Sequence, residues 1–470
     1  MVHEGDYGCS HMARSGCGVE HMDSKQRSTT AIPRREQTVE PTGLREAISE
    51  VFSQRSYTVF LGTAWVFYTF EVLYIFYNLY LRSLGWGFLL IGLVGGANMV
   101  IAAASRIAGG YLGDITDRRH LAVAAMLFGA VTLIITGLFT QPFLLVLALL
   151  IYATMNLVKS GSSAYVMDKV PRRHSGLALS IFSAGRVLGV VTLIMLNVLV
   201  VIEGFGQGFR TLALVGGTAL LVSAITRAAL LDSSRPRGET RSAALWHDFL
   251  SKNWRALRLL VKMLPGAVVI VVLDSVSDGL FKFGALLYTN EFLGVSISGI
   301  GTIMTAYLLI SVPLLLKVGR LADTSGLRRT AMRVYGIMPL SMLLILLAPM
   351  FPFWAPAGVV TTANNIMPGL GALFTTVFVA IVLKYVNDGL WWLLLFTMIR
   401  KNLPRRDTAK FLALFWALVS GLGALGPVIG GAIFALGSPA LVFVIGIAIN
   451  IAILGLIYRN GLTGAQETDC

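Results

Sequence analysis

Hydrophobic positions in this chain gather into long unbroken runs instead of alternating with polar ones. Twelve runs of about 20 residues stand out, near 58–81, 88–108, 121–139, 142–165, 176–201, 211–231, 263–289, 296–317, 330–349, 375–400, 410–436 and 439–458. Each is long enough to cross a bilayer core as a helix. The pattern predicts an all-α integral membrane protein, its helices numbered 1 to 12 in chain order. The polar stretches divide it into a tail (1–57), a six-helix bundle (58–231), a linker (232–262), a second six-helix bundle (263–459) and a closing tail (460–470).

Two polar segments turn periodic. Leu44, Ala47, Ile48, Val51 and Phe52 recur at helical spacing, which predicts a short interfacial helix ahead of helix 1. The linker opens D-S-S-R-P-R-G, a breaker-rich stretch. It then sets Leu245, Phe249, Trp254, Leu257 and Leu260 against Lys252, Arg255 and Arg258, the pattern of a helix lying on a membrane surface. A calmodulin-type target has the same look.

A second pattern is a repeat. Residues 110–119 read G-Y-L-G-D-I-T-D-R-R and residues 319–329 read G-R-L-A-D-T-S-G-L-R-R. Gly110 and Gly319 are 209 residues apart, as are Asp114 and Asp323, and Gly92 and Gly301. One gap-free register therefore covers a helix and the segment after it in both halves, as in internally duplicated membrane bundles. A P-R-R triplet follows at Pro171 and again at Pro404, 57 and 81 residues beyond the two aspartates, so the second half holds 24 extra residues. They fall near 350–374, rich in Pro and Asn. A thirteenth span there would carry the basic Arg405–Arg406 loop to the other side, which its charge disfavours.

Composition agrees: 56% hydrophobic residues, 13% charged and a mean hydropathy of +0.74, against roughly a quarter charged in soluble domains. The net charge of +14 raises the question of nucleic acid, and its distribution answers it. With the amino terminus inside, most Lys and Arg fall on inner segments, and the outer loops offer only Arg82 and Arg210. This is the positive-inside bias. It puts both termini in the cytoplasm of a multi-pass plasma-membrane protein, and basic inner loops suit anionic lipid without a nucleic-acid partner. The amino-terminal tail lacks the apolar core of a signal peptide. His3, Cys9, His11, Cys17 and His21 in it fit no common zinc spacing, so no metal and no cofactor are expected. Three cysteines in all imply no disulfide framework.

The two G-x-x-x-D segments with trailing arginines resemble the loops between helices 2 and 3, and 8 and 9, of the major facilitator superfamily. The likeness runs from about 58 to 459. It implies a secondary transporter, and it implies that the carboxylate and arginines of each loop help hold the two bundles together on the inner face. That role passes to Gly110, Asp114, Arg118 and Arg119, and to Gly319, Asp323, Arg328 and Arg329. Asp168, in Y-V-M-D-K-V-P-R-R at the end of helix 4, resembles an acidic partner of the first loop. Charge serving topology alone is the alternative. Asp117 departs from the pattern, standing where Gly is common. Short loops use Gly for tight turning, which predicts turns at Gly110 and Gly319.

Charges at bilayer depth cost about 2.5–3.5 kcal/mol each, so they pair or line a cavity. The candidates for substrate or protons are Glu71 on helix 1, Lys159 on helix 4, Arg186 on helix 5, and Asp274, Asp278 and Lys282 on helix 7. Lys384 and Asp388 on helix 10 rank lower because they adjoin the insertion. By resemblance, helices 1, 4, 7 and 10 line the central cavity, with 2, 5, 8 and 11 beside them. Asp274, Asp278 and Lys282, spaced by four, share one helical face, and a half-desolvated carboxylate there or at Glu71 would suit proton handling. A permanent ion pair is the alternative. Lys159 and Arg186 could clamp an anion or neutralise Glu71.

No nucleotide-binding loop, zinc motif or hydrolase elbow occurs, so no enzyme activity is expected. The expected function is proton symport of a small polar or anionic solute by a monomer using alternating access. Proton-antiport efflux of drugs or metabolites is second. A membrane solute sensor that moves nothing is the alternative from another class.

Overall fold

Where no water can reach the backbone, a segment must satisfy its own N–H and C=O groups, and the long apolar runs do so as helices. The computed structural model describes residues 44–159, 175–234, 265–325, 327–402 and 408–459, with a few isolated positions between 160 and 264. Asp168 and the His- and Cys-bearing tail lie outside the described residues, as does most of the linker helix. So do the side chains of Asp114, Asp323 and Arg328 and the surroundings of Gly319.

Nine helices among the described residues are long and apolar enough to cross a membrane. They are helix 1 (Arg55–Ser83), 2 (Phe88–Ile115), 3 (Arg118–Leu138), 4 (Pro142–Lys159), 5 (closing with Gly189–Glu203), 6 (Phe205–Leu230), 9 (Arg329–Leu347), 11 (closing with Leu425–Ala435) and 12 (Ala440–Tyr458). Three more helices are as long: helix 7 (Pro265–Glu291, 27 residues), 8 (Ile297–Ser325, 29 residues) and 10 (Thr376–Asn402, 27 residues). Helix 1 begins at Arg55, earlier than expected, and the short helix Leu44–Ser53 precedes it. The insertion forms a ten-residue helix, Ala357–Ile366, and a 3-10 turn, Leu370–Phe374. Ten residues rise about 15 Å, too short to span.

The expectation of turns at Gly110 and Gly319 is corrected. Both lie inside helices, which run on to Ile115 and Ser325. Small residues near the end of helix 2 instead allow close packing. A Cβ at Gly109 would stand 2.4 Å from the Leu157 carbonyl on helix 4. The turn proper is Thr116–Asp117. Asp117 caps helix 3, accepting from the Arg119 N–H (2.9 Å), the Ser234 N–H (3.0 Å) and the Ser233 hydroxyl. Arg119 donates to the Ala228 carbonyl near the end of helix 6, where the helix dipole favours a cation. These contacts of Asp117 and Arg119 stay within the first half of the chain, and Arg329 is exposed.

The halves meet where backbones nearly touch. Helix 2 packs on helix 11, and helix 5 on helix 8. A Cβ at Gly92 would stand 2.4 Å from the Pro427 carbonyl, and one at Gly431 would stand 2.7 Å from the Phe88 carbonyl. At the opposite end from Asp117, Arg82 meets Glu291 at 3.3 Å across the halves, and the Phe88 ring packs against Phe292 and Phe434. Within the first half, fully buried Arg227 on helix 6 donates to Thr63 Oγ1 (2.8 Å) and the Ala122 carbonyl (2.8 Å) and lies 4.1 Å over Phe60. It pins helix 6 to helices 1 and 3 through neutral acceptors and a ring face.

Candidate functional site

Two helices lose their α geometry at candidate charges. Helix 1 passes into a 3-10 segment, Val72–Phe76, right after Glu71. Helix 5 does so at Gly185–Leu188, which contains Arg186. Such breaks inside long helices often mark functional positions. Both face a cavity of about 690 Å³ between the halves, lined on one side by Tyr68, Glu71, Tyr152 and Arg186 and on the other by Asp278, Lys282, Tyr307, Tyr385, Asp388 and Trp392. A second lobe of about 480 Å³ shares Glu71, Tyr74, Asn78, Met99 and Lys282 with it and reaches Arg106, Asn156, Lys159 and Ser420.

Among the described residues, the cavity cations divide into paired lysines and arginines without a carboxylate. Lys159 meets Glu71 at 3.3 Å, so Lys159 and not Arg186 is the neighbour that neutralises Glu71. In the other half, charges alternate along a chain. Lys282 meets Asp278 at 2.6 Å, Lys384 meets Asp278 at 3.2 Å, and Lys384 also holds Asp388 one helical turn away. Lys384 is 2% exposed. A buried ammonium is tolerable there because two carboxylates face it, and removing either side of such a pair strands a charge. Asp388 Oδ2 is buried and has no hydrogen-bond partner among the described residues, an open acceptor of the kind that native structures seldom leave.

Arg186 has no carboxylate within ion-pair distance among the described residues. Its guanidinium lies 5.6 Å from the centre of the Tyr68 ring. Arg106, deeper along helix 2, donates to Asn156 Oδ1 (3.1 Å), the Trp416 carbonyl (3.3 Å) and Ser420. It thereby joins helices 2 and 4 to helix 11 through neutral acceptors.

Asp274 departs from the expected grouping. It does not share the cavity with Asp278 and Lys282. It is buried within the second half, where Tyr335 donates to it at 2.8 Å and Trp391 at 2.9 Å, and Asn450 and Ser277 extend the network. An α-helix advances 100° per residue, so a spacing of four drifts by 40° each time, and two such steps carry Asp274 off the Lys282 face. Lys384 and Asp388, ranked lower from sequence, stand at the centre. Their spacing of four on a central helix was the available signal. Sequence reasoning missed Arg106, which sits at the inner end of the apolar run 88–108 and so reads as a topological charge.

Outside the membrane-spanning helices, the structure shifts the titration of Asp117. Partial burial raises its carboxyl, but the donors from Ser233, Ser234 and Arg119, with nearby His120, outweigh that and hold it below its ordinary value.

Comparison with known proteins places this geometry. The family model described as Major Facilitator Superfamily matches residues 59–361. No curated protein matches the chain. Among solved structures, the nucleoside transporter NupG superposes with a TM-score of 0.64 at 15% identity, covering 87% of this chain and 99% of that one. A POT family transporter in complex with 5-aminolevulinic acid gives 0.61 at 14% identity (87% and 95%). A D-xylose–proton symporter gives 0.60 at 13% identity (88% and 98%). At such identity the likeness is one of fold.

Proposed function

The chain belongs to the Major Facilitator Superfamily, and from that premise we propose that this multi-pass secondary transporter moves a small organic anion by proton symport. Helices 7, 8 and 10 complete twelve spans in two bundles, which rock about the central cavity. The positive-inside bias supports a plasma-membrane orientation with the Asp117 end in the cytoplasm and the Arg82 end outside.

The observation that carries the anion is Arg186. Lys159, Lys282 and Lys384 are answered by Glu71, Asp278 and Asp388, and Arg186 is left over at the cavity wall. Its guanidinium is exposed to the cavity, and a carboxylate or phosphate would meet its fork with two charge-assisted hydrogen bonds. Tyr68, Tyr307, Tyr385 and Trp392 around it suit an apolar or planar body on the anion. For protons the geometry favours Glu71 and Asp388. Glu71 has one lysine partner and a cavity face, and Asp388 has an open oxygen. Asp278 sits between two ammoniums and is better suited to remain charged.

Thermal stabilisation of purified protein by a panel of carboxylates, phosphates, sugars and quaternary ammoniums tests the anion. Carboxylates or phosphates should raise the melting temperature. Arg186→Lys should weaken the effect about tenfold, because the charge stays and the bidentate fork goes. Stabilisation by sugars or cations alone would refute it. In liposomes, Glu71→Gln or Asp388→Asn should abolish uptake driven by a pH gradient while sparing exchange at equal pH. Full accumulation by both variants would remove these carboxylates from the coupling step.

A further inference from the structure

The segment joining helix 9 to helix 10 has an unusual makeup. From Val334 to Leu383 the chain carries no Asp, Glu, Lys, Arg or His. The part between helices 9 and 10 is nevertheless no span. It folds as the ten-residue helix Ala357–Ile366 and the 3-10 turn Leu370–Phe374, closed by a bridge between Phe353 and Thr375. Gly369, in the left-handed region at φ +88°, brings the turn against Ser298 and Gly299 at the start of helix 8. The cap is thus fastened to the membrane bundle at the Arg82–Glu291 end.

Its outward face is apolar. Ile366 is 75% exposed, Met350 72%, Phe351 61% and Trp354 57%. Several of its polar side chains donate within the cap, while Asn364 and Asn365 are exposed. Trp354 Nε1 donates to the Leu373 carbonyl (3.1 Å), Thr361 to Ala357 (3.1 Å), Thr362 to Gly358 (2.8 Å), and Thr376 to Phe351. A cap in water would gain from charged residues. A cap at the headgroup level keeps polar side chains such as Asn365 wet and places Trp and Phe at the interface. The face is also continuous along the chain with Leu340 and Leu343, which helix 9 exposes.

We propose that this uncharged cap lies in the bilayer interface, its Phe351, Trp354 and Ile366 face in lipid, and anchors the ends of helices 8, 9 and 10 to the membrane surface. The inference is independent of the identity of the transported solute.

A spin label at Ile366→Cys tests it, in a chain whose Cys9, Cys17 and Cys470 are replaced by Ser and which is reconstituted in phosphatidylcholine vesicles. A second label at Phe351→Cys guards against a local disturbance. Oxygen, which concentrates in lipid, and a water-soluble nickel chelate are used as relaxants, with Gln141→Cys as the aqueous reference. Both cap labels should collide several-fold more with oxygen than with nickel, and Gln141→Cys should show the reverse. Nickel dominance at the cap would place it in water. Shielding from both relaxants would mean that protein, such as a second copy of the chain, covers it. Either result overturns the proposal.

Discussion

Arg82 and Glu291 are 209 residues apart, the offset that relates the two halves of the chain. They occupy equivalent positions and meet each other, so the pair sits on the approximate two-fold axis and survives only while that end is closed. We predict that it latches the closed state weakly. Both side chains are 31% exposed and the contact is 3.3 Å, the regime in which an ion pair contributes about 0.2–1 kcal/mol. Arg82 also lies 4.3 Å over the Phe88 ring, which adds about 0.5–1 kcal/mol. Arg82→Ala should therefore cost the closed state about 1–2 kcal/mol, roughly tenfold in its population. Glu291→Ala should cost about 0.2–1 kcal/mol. The assay is the rate at which an impermeant thiol reagent, added from the Arg82 side, modifies Asn78→Cys in the cavity wall. The rate should rise about tenfold in Arg82→Ala and less in Glu291→Ala, and it should fall back in the exchanged pair Arg82→Glu with Glu291→Arg. High salt should narrow the differences, because exposed charges are screened. Unchanged labelling in Arg82→Ala, or strictly additive effects of the two alanines, would refute the latch.

Further expectations concern stability and pH. Lys384→Met should destabilise the protein by about 3–5 kcal/mol by leaving Asp388 without a cation and Asp278 with Lys282 alone, and adding Asp388→Asn should recover part of that in thermal unfolding. Equal stability of the two variants would contradict the alternating chain. Gly431→Ala, whose Cβ would stand 2.7 Å from the Phe88 carbonyl, should cost about 1–3 kcal/mol. Gly62→Ala, with nothing within 4 Å, should gain about 0.5–1 kcal/mol, and the reverse order would refute the helix 2–helix 11 packing. Asp117→Ala should lose about 1 kcal/mol of helix-3 capping at neutral pH. The Asp117 carboxyl is held below its unfolded value of about 3.9. Its contribution is therefore complete above roughly pH 5 and lost as pH falls through the lower folded value, so the gap between Asp117→Ala and the parent should close on acidification. A gap that stays constant down to pH 3 would show that the carboxylate is not the cap.

The long apolar runs and the register of 209 residues sufficed to predict an all-α membrane protein with a duplicated core, because hydrophobic length and repetition are one-dimensional properties. They also marked Glu71, Lys159, Arg186, Asp278 and Lys282, since any charge within an apolar run needs a reason. Partnership was not legible. That Lys159 and not Arg186 answers Glu71, that Asp274 turns away to Tyr335 and Trp391, and that Lys384 closes a chain of alternating charge all depend on how helices rotate and cross. Side-chain direction shifts by 100° per residue, and a break such as Val72–Phe76 resets it. The Gly92–Gly431 and Gly279–Gly426 approaches, the meeting of Arg82 with Glu291, and the apolar face of the cap arise only when segments distant in the chain are packed together. Sequence by itself determined which residues bear charge in the membrane. Tertiary structure decided which of those charges find partners among the described residues, because ion pairing falls away within a few ångströms and only packing brings groups that close.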